Sequence, residues 1–575
     1  FSDKTGNCRL SWFDWMMRHS VQSVDAADEF TRLVHTAAER EDGAFLKIVA
    51  IAATKLDAPL PTALRTGQQA QGGTDPGLQT LQRTIQQVRQ EHAQALVPLT
   101  VAEREELQAK LYIQAAGPKA NAPRFNDKID GRRVSDLLEK MDRRSLMQAA
   151  ATVSGLSEQA VLRQLTQSAT RRTRGKAQVM VGTPAGKIVF GGSGNNEYRL
   201  NEMADVCAVV DVGGDDVYIE GAVTAVRPVL VLLDLNGNDT YRGEQPGIQG
   251  GAVLGVSLLI DAAGNDTYTA DDIAQGSALG GVGLLVDKTG DDKYLGDKRV
   301  QGQAVCGLGV LIDRAGNDGY RTALLGQGVG GPLGFGLLDD LAGNDHYYAG
   351  GKYADGYDDS PGYNGWSQGV GVGPRGTANG GIGTLLDGGG DDVYEADYFS
   401  HGGGYWFALG FARDFGGNDQ RVGSTRTAWD GSPRTEARFL RYGNGFGVHY
   451  AAGYLFDDTG NDIYFADFAG VGFAWDIGIT SIIDMAGNDR YESGSGVGAC
   501  FNSGLSMLFD AKGDDTYISG NAGSASEKSE YHPDEPHAYN FAYILDLQGQ
   551  DTYPADITNN RETERGWPGG LVIDR

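Results

Sequence analysis

From Asp211 onward one eight-residue phrase, Asp-x-x-Gly-Asn/Asp-Asp-x-Tyr, returns roughly every 26–27 residues. It reads DVGGDDVY at 211, DLNGNDTY at 234, DAAGNDTY at 261, DKTGDDKY at 287, DRAGNDGY at 313 and DLAGNDHY at 340. It returns as DGGGDDVY at 387, DDTGNDIY at 457, DMAGNDRY at 484, DAKGDDTY at 510 and DLQGQDTY at 546. A fixed period of this length forces stacked coils, because a single repeat cannot bury its own apolar face. The expected fold class is mainly β: a parallel β-helix or β-solenoid of about 26–27 residues per coil, with an α-helical N-terminal domain.

Each coil has one internal order, as in QGSALGGVGLLVDKTGDDKY at 275–294. A Gln-Gly pair opens a Gly-spaced strand, an apolar trio follows, then the acidic turn, then a short strand with Tyr. The trio column (Leu284, Leu311, Leu337, Leu385, Ile482, Leu508, Leu545) is the expected core. About a dozen coils at ~4.8 Å each make a rod on the order of 60 Å long. Residues 1–176 show helical spacing over 1–60, 78–116 and about 133–170, with a Gly/Pro/Gln-rich linker at 58–77. These helices are expected either to cap the open end of the stack or to serve as a docking module. VMVGTPAGKIVF then reads as strand–turn–strand leading into the solenoid over 177–575. Insertions at about 348–367, 421–443 and 519–533 share one register, so they should project from one side of the rod.

Charge divides the chain in the same place. Residues 1–190 carry 26 Lys/Arg against 20 Asp/Glu (+6), whereas the remainder carries 23 against 56 (−33). An acidic rod neither neutralises phosphates nor is drawn to anionic lipid, so nucleic acid is not an expected partner. Cys8, Cys207, Cys306 and Cys500 are far apart and support neither a zinc site nor a disulfide framework. No apolar run is long enough to span a bilayer. A chain beginning at Phe1, taken with cation-favouring repeats, gives the expectation of an exported protein of the extracellular space, cell surface or periplasm.

The acidic turns carry the chemistry. In-register carboxylates about 4.8 Å apart repel by roughly 3–4 kcal/mol at an effective dielectric near 20 unless a cation, a proton or a donor network offsets them. Oxygen donors without Cys or His favour Ca²⁺. The phrase resembles the haemolysin-type (RTX-like) calcium repeat, Gly-Gly-x-Gly-x-Asp-x-apolar. That resemblance implies Ca²⁺ shared between adjacent turns, with Asp216, Asp239, Asp266, Asp292, Asp318, Asp345, Asp392, Asp419, Asp462, Asp489, Asp515 and Asp551 as ligands. It covers one turn per coil. The phrase opens on Asp in place of the first Gly, Tyr takes the apolar place, and the tandem nine-residue spacing is absent. The first Asp (Asp234, Asp261, Asp287) is expected to close an Asx-turn, and the Tyr column to stack as a packing ladder.

Gln249, Gln275, Gln301, Gln327 and Gln368 form a further column, in which stacked amides are expected to bond rung to rung. His401 takes the next rung and is the one candidate for general acid–base work. Tyr357, Tyr363, Trp366, Trp429 and Tyr531, on the insertions, are candidate contacts for another protein chain or a surface polysaccharide. The expected function is a calcium-stabilised structural or interaction component of a surface, matrix or larger assembly. The alternatives are a polysaccharide lyase or hydrolase of the β-helix type and a non-catalytic carbohydrate-binding protein.

Overall fold

The computed structural model describes residues 7–61, 75–112, 127–174, 177–354, 362–434, 442–527, 529–530, 539–566 and 569–575. The described residues from 178 onward form a parallel β-solenoid of about thirteen turns, preceded among the described residues by eight helices. The helices are α1 (Ser11–Arg18), α2 (Gln22–Ala38), α3 (Ala44–Lys55), α4 (Pro76–Ala95), α5 (Val101–Lys110), α6 (Asp127–Lys140), α7 (Arg143–Ser154) and α8 (Gln159–Thr173). Among the described residues, no helix is long and apolar enough to cross a membrane.

Every coil gives one strand to each of two long sheets. The first sheet holds the apolar trio, in strands such as Val256–Ile260, Val282–Val286 and Gly307–Asp313. The second holds the Tyr strands, such as Thr267–Ala274 and Lys293–Val300. The acidic turn joins the first sheet to the second. At the far corner the Gln-Gly pair takes two successive left-handed residues, Gln275 at φ 54° and Gly276 at φ 74°. A Cβ on Gly276 would stand 2.2 Å from the Val310 carbonyl oxygen of the next coil, so the corner requires Gly.

Strand pairing separates the trio into two columns with opposite directions. Leu259, Leu285, Leu311, Leu338 and Leu385 are mutual neighbours, and they face inward onto the Tyr rings. Leu258, Leu284, Val310 and Leu337 face outward. The expected core column therefore mixed two registers: Leu284, Leu337 and Leu545 belong to the outer face, and Leu311, Leu385, Ile482 and Leu508 to the inner one.

The outer column is apolar because the helices lie on it. They run along the flank of the rod, which corrects the expectation of a cap over its end. α8 packs on the strands at 186–191 and 206–210, α7 on those at 256–260 and 307–313, and α2 on those at 382–387, 409–414 and 452–457. Phe30 and Trp12 meet Phe411 at ring distances of 4.8 and 5.5 Å. Polar contacts fix the seam: His35 bonds Asp339 at 2.8 Å, Arg413 reaches Asp28 at 2.6 Å, and the Tyr454 hydroxyl donates to Ser23 at 2.7 Å. The ends of the first sheet are closed by antiparallel strands, Gln178–Thr183 on Gly186–Gly191 and Glu562–Glu564 on Gly570–Asp574.

Among the described residues, cover by the helices stops before the rod does. In the last coils the outer column continues as Leu505, Met507 and Phe509, then Phe541, Tyr543 and Leu545, then Leu571 and Ile573. Phe541 and Tyr543 are 40% and 36% exposed, whereas Leu284 and Leu337 are fully buried.

Candidate metal centre

The first Asp is held from two directions in most phrases, Asp234 and Asp261 among them, whereas Oδ1 of Asp287, expected to close the same turn, has no donor, as in Asp457, Asp484 and Asp546. One oxygen accepts the backbone N–H two residues on, as Asp211 does from Gly213 at 2.8 Å and Asp387 from Gly389 at 2.9 Å. The other accepts a Tyr hydroxyl from the preceding coil. Tyr241 donates to Asp261 at 2.7 Å, Tyr268 to Asp287, Tyr294 to Asp313 and Tyr320 to Asp340, each of these three at 2.6 Å. The rings stack at 4.6–4.9 Å from Tyr198 to Tyr394, so the ladder supplies packing and a row of donors at once. The sequence clue was that this place reads Tyr in every phrase but the one at 414, and never Phe.

The second Asp column makes a continuous backbone ladder. Oδ1 of each residue accepts the N–H of its counterpart one coil earlier: Asp216 donates to Asp239 at 2.6 Å, and Asp239, Asp266 and Asp292 each donate to the next rung at 2.5 Å. The series continues to Asp515 and Asp551. Oδ2 of all twelve residues is buried and lacks a hydrogen-bond donor. The turns approach so closely that a Cβ on Gly264 would lie 1.5 Å from the Gly237 carbonyl oxygen. The carboxylates accordingly gather in threes, such as Asp239, Asp261 and Asp266, or Asp266, Asp287 and Asp292, with ligand oxygens within 4.8 Å of one another.

Burial, followed by the neighbouring carboxylates, pushes these acids far above the usual range: Asp266 to about 6, Asp292 to about 7, Asp239 to about 9 and Asp318 to about 10. A buried oxygen without a donor costs about 1–3 kcal/mol, and more when it is charged. Twelve of them in register need neutralising. An all-oxygen set of carboxylates beside turn carbonyls fits a hard cation such as Ca²⁺ and offers nothing to a soft metal.

One coil brings its own cation. The phrase at 414 reads DFGGNDQR, with Arg421 in the Tyr place. Its buried guanidinium stands 4.2 Å over the Tyr394 ring and 3.4 Å from both Asp414 and Asp457. This departure was visible in the sequence and is explained only by the stacking.

The remaining sequence candidates do not converge on a site. His401 is 1% exposed in the corner column, and burial followed by the Arg421 charge pushes it down to about 3, so it is a neutral interior group. The Gln column does not bond rung to rung: Gln275 donates to the carbonyls of Tyr268 and Leu295, and Gln301 to those of Tyr294 and Arg321. At this corner the strand carbonyls take the amide hydrogens. Trp366 is buried, stacked on Phe399 at 3.8 Å. Tyr363 lies under Arg434, and Trp429 under Arg321 at 4.5 Å, with Trp429 N–H bonded to Gly351, so the first two insertions pack on each other. Tyr357 and Tyr531 lie outside the described residues.

No family model, curated protein or solved structure matches this chain.

Proposed function

We propose that the chain is a calcium-stabilised β-solenoid acting as a structural and interaction component of an exported assembly. The observation that carries this reading is the row of twelve buried Oδ2 atoms without donors, each beside a first-column carboxylate. Ca²⁺ would be held by the second-column Asp residues with Asp261, Asp287, Asp313 and their equivalents, and would supply the positive charge that lets the turns stack ionised. The resemblance to the RTX-like repeat and the acidity of the rod support the same reading. The uncovered outer face of the last coils supports the interaction role. Its partner is an amphipathic helix of another chain, because the same sheet face accepts amphipathic helices along the preceding coils.

The test is a melting curve at neutral pH with excess Ca²⁺ and with a chelator, alongside a measurement of bound metal. The expected result is several ions per chain and a midpoint that drops sharply on chelation. Equal midpoints with no metal retained would overturn the reading.

A further inference from the structure

The Tyr place of the phrase is filled by Tyr from Tyr218 to Tyr394 and from Tyr464 to Tyr553, and between them by Arg421. The ring ladder divides at the same point. Tyr347 stacks on Tyr394 at 4.7 Å and Tyr464 on Tyr491 at 4.9 Å, and the Arg421 guanidinium lies 4.2 Å over Tyr394, where the next ring would stand. In the regular coils this place supplies a neutral donor, as Tyr320 does to Asp340 at 2.6 Å. Arg421 donates instead to Asp457 of the following coil and back to Asp414 of its own, each at 3.4 Å. Arg421 is 1% exposed and both carboxylates are fully buried, so a permanent positive charge is sealed between two first-column acids.

The register identifies the carboxylate group that this charge serves. Tyr320 belongs with the group of Asp318, Asp340 and Asp345. The same backbone ladder runs through both places: the Asp318 N–H bonds Asp345 and the Asp419 N–H bonds Asp462, each at 2.6 Å. The group that belongs with Arg421 is therefore Asp419, Asp457 and Asp462. Burial raises all three acids, and the Arg421 charge opposes that rise in each. Around Tyr320 the acids are raised by burial and then by neighbouring carboxylates, which a metal ion would relieve. At Arg421 a metal ion and the guanidinium would compete for the same carboxylates, and a buried pair of cations is little screened by salt.

Resting on the calcium reading above, we propose that Arg421 is a built-in substitute for one ion. The group of Asp419, Asp457 and Asp462 takes no metal, and Ca²⁺ occupies two separate runs, one through the coils up to that of Asp414 and one from Asp462 onward. Arg413 of the same coil anchors α2 through Asp28 at 2.6 Å, and the first two insertions pack on each other beside it. The middle of the rod thus holds a positive charge that withdrawal of Ca²⁺ does not remove.

Equilibrium dialysis of the full chain against Ca²⁺, followed by elemental analysis, counts the ions. Arg421→Tyr restores the phrase and should retain one ion more than the parent. Arg421→Met, which removes the charge without adding a donor, should do the same. The reciprocal change, Tyr320→Arg, places a guanidinium beside Asp340 and should retain one ion fewer. The midpoint of Arg421→Tyr should also fall further on chelation than that of the parent. Unchanged counts in both Arg421 variants, or in Tyr320→Arg, from a parent that holds metal would overturn this assignment and leave the calcium reading standing. A parent that holds no metal would overturn both.

Discussion

Asp292→Asn separates the two ways in which the acidic turns can be neutralised. Asp292 belongs to two carboxylate groups at once, with Asp266 and Asp287 on one side and Asp313 and Asp318 on the other. Asn keeps an acceptor for the Asp266 N–H and places a donor where the orphaned Oδ2 stands. At the 4.8 Å limit of these groups, two ionised carboxylates repel by 332/(20 × 4.8), or about 3.5 kcal/mol, at an effective dielectric of 20. With a chelator at pH 8.5, the substitution should therefore raise stability by roughly 1–3 kcal/mol, since proton uptake already relieves part of the repulsion. In Ca²⁺ the sign reverses. The variant loses a ligand from two adjoining centres, each worth about 2.7 kcal/mol at a hundredfold excess over Kd, and bound metal should fall by one or two ions. Scanning calorimetry in both conditions, with metal analysis, reads the difference directly. A shift of the same sign and size with and without Ca²⁺ would refute the reasoning.

Other outcomes follow from the same geometry. In chelator the acids bind protons in the fold, with Asp292 raised to about 7 and Asp239 to about 9, and release them near pH 4 when unfolded. Their contribution is complete below that lower value and is lost progressively as pH rises from about 4 through about 7 to 9, so the midpoint should be higher at pH 5.5 than at pH 9; a rising profile would contradict this. Tyr294→Phe keeps the stacked ring but removes the donor to Asp313, and should cost about 1.5–3 kcal/mol in urea unfolding. Tyr543→Phe, on the uncovered face, should stay within about 0.5 kcal/mol. Arg421→Met strips the cation from Asp414 and Asp457 and should cost about 3–5 kcal/mol in chelator, read as a lower melting midpoint.

The solenoid was legible because its period is written in consecutive residues. The helical layer along its flank was less so, although VSLLI at 256–260 and VGLLV at 282–286 carried a usable sign. Strands apolar at nearly every position are buried on both faces, whereas FAYILD at 541–546 has one face partly open. The split of the trio into inner and outer columns needed the pairing of Leu285 with Leu311, which no single coil contains. The Tyr–Asp bonds were hidden for the same reason: Tyr268 and Asp287 belong to different coils and meet only once the register is set. His401 looked exceptional along the chain, but it occupies the left-handed corner at φ 57° that the Gln residues also take.

The antiparallel strands at Gln178–Thr183 and Glu562–Glu564 bear on more than the two ends they cover. A parallel, in-register stack at this spacing has the geometry of a cross-β fibril, whose bare terminal rungs recruit further chains without limit. Reversing the strand direction at Gln178–Thr183 and at Glu562–Glu564, with Glu562 and Glu564 exposed, replaces the parallel in-register edge that elongation copies with an antiparallel one, charged at the second. The described rungs are thus fibril-like, while the first sheet offers, at either reversed strand, no parallel edge for a second copy to extend.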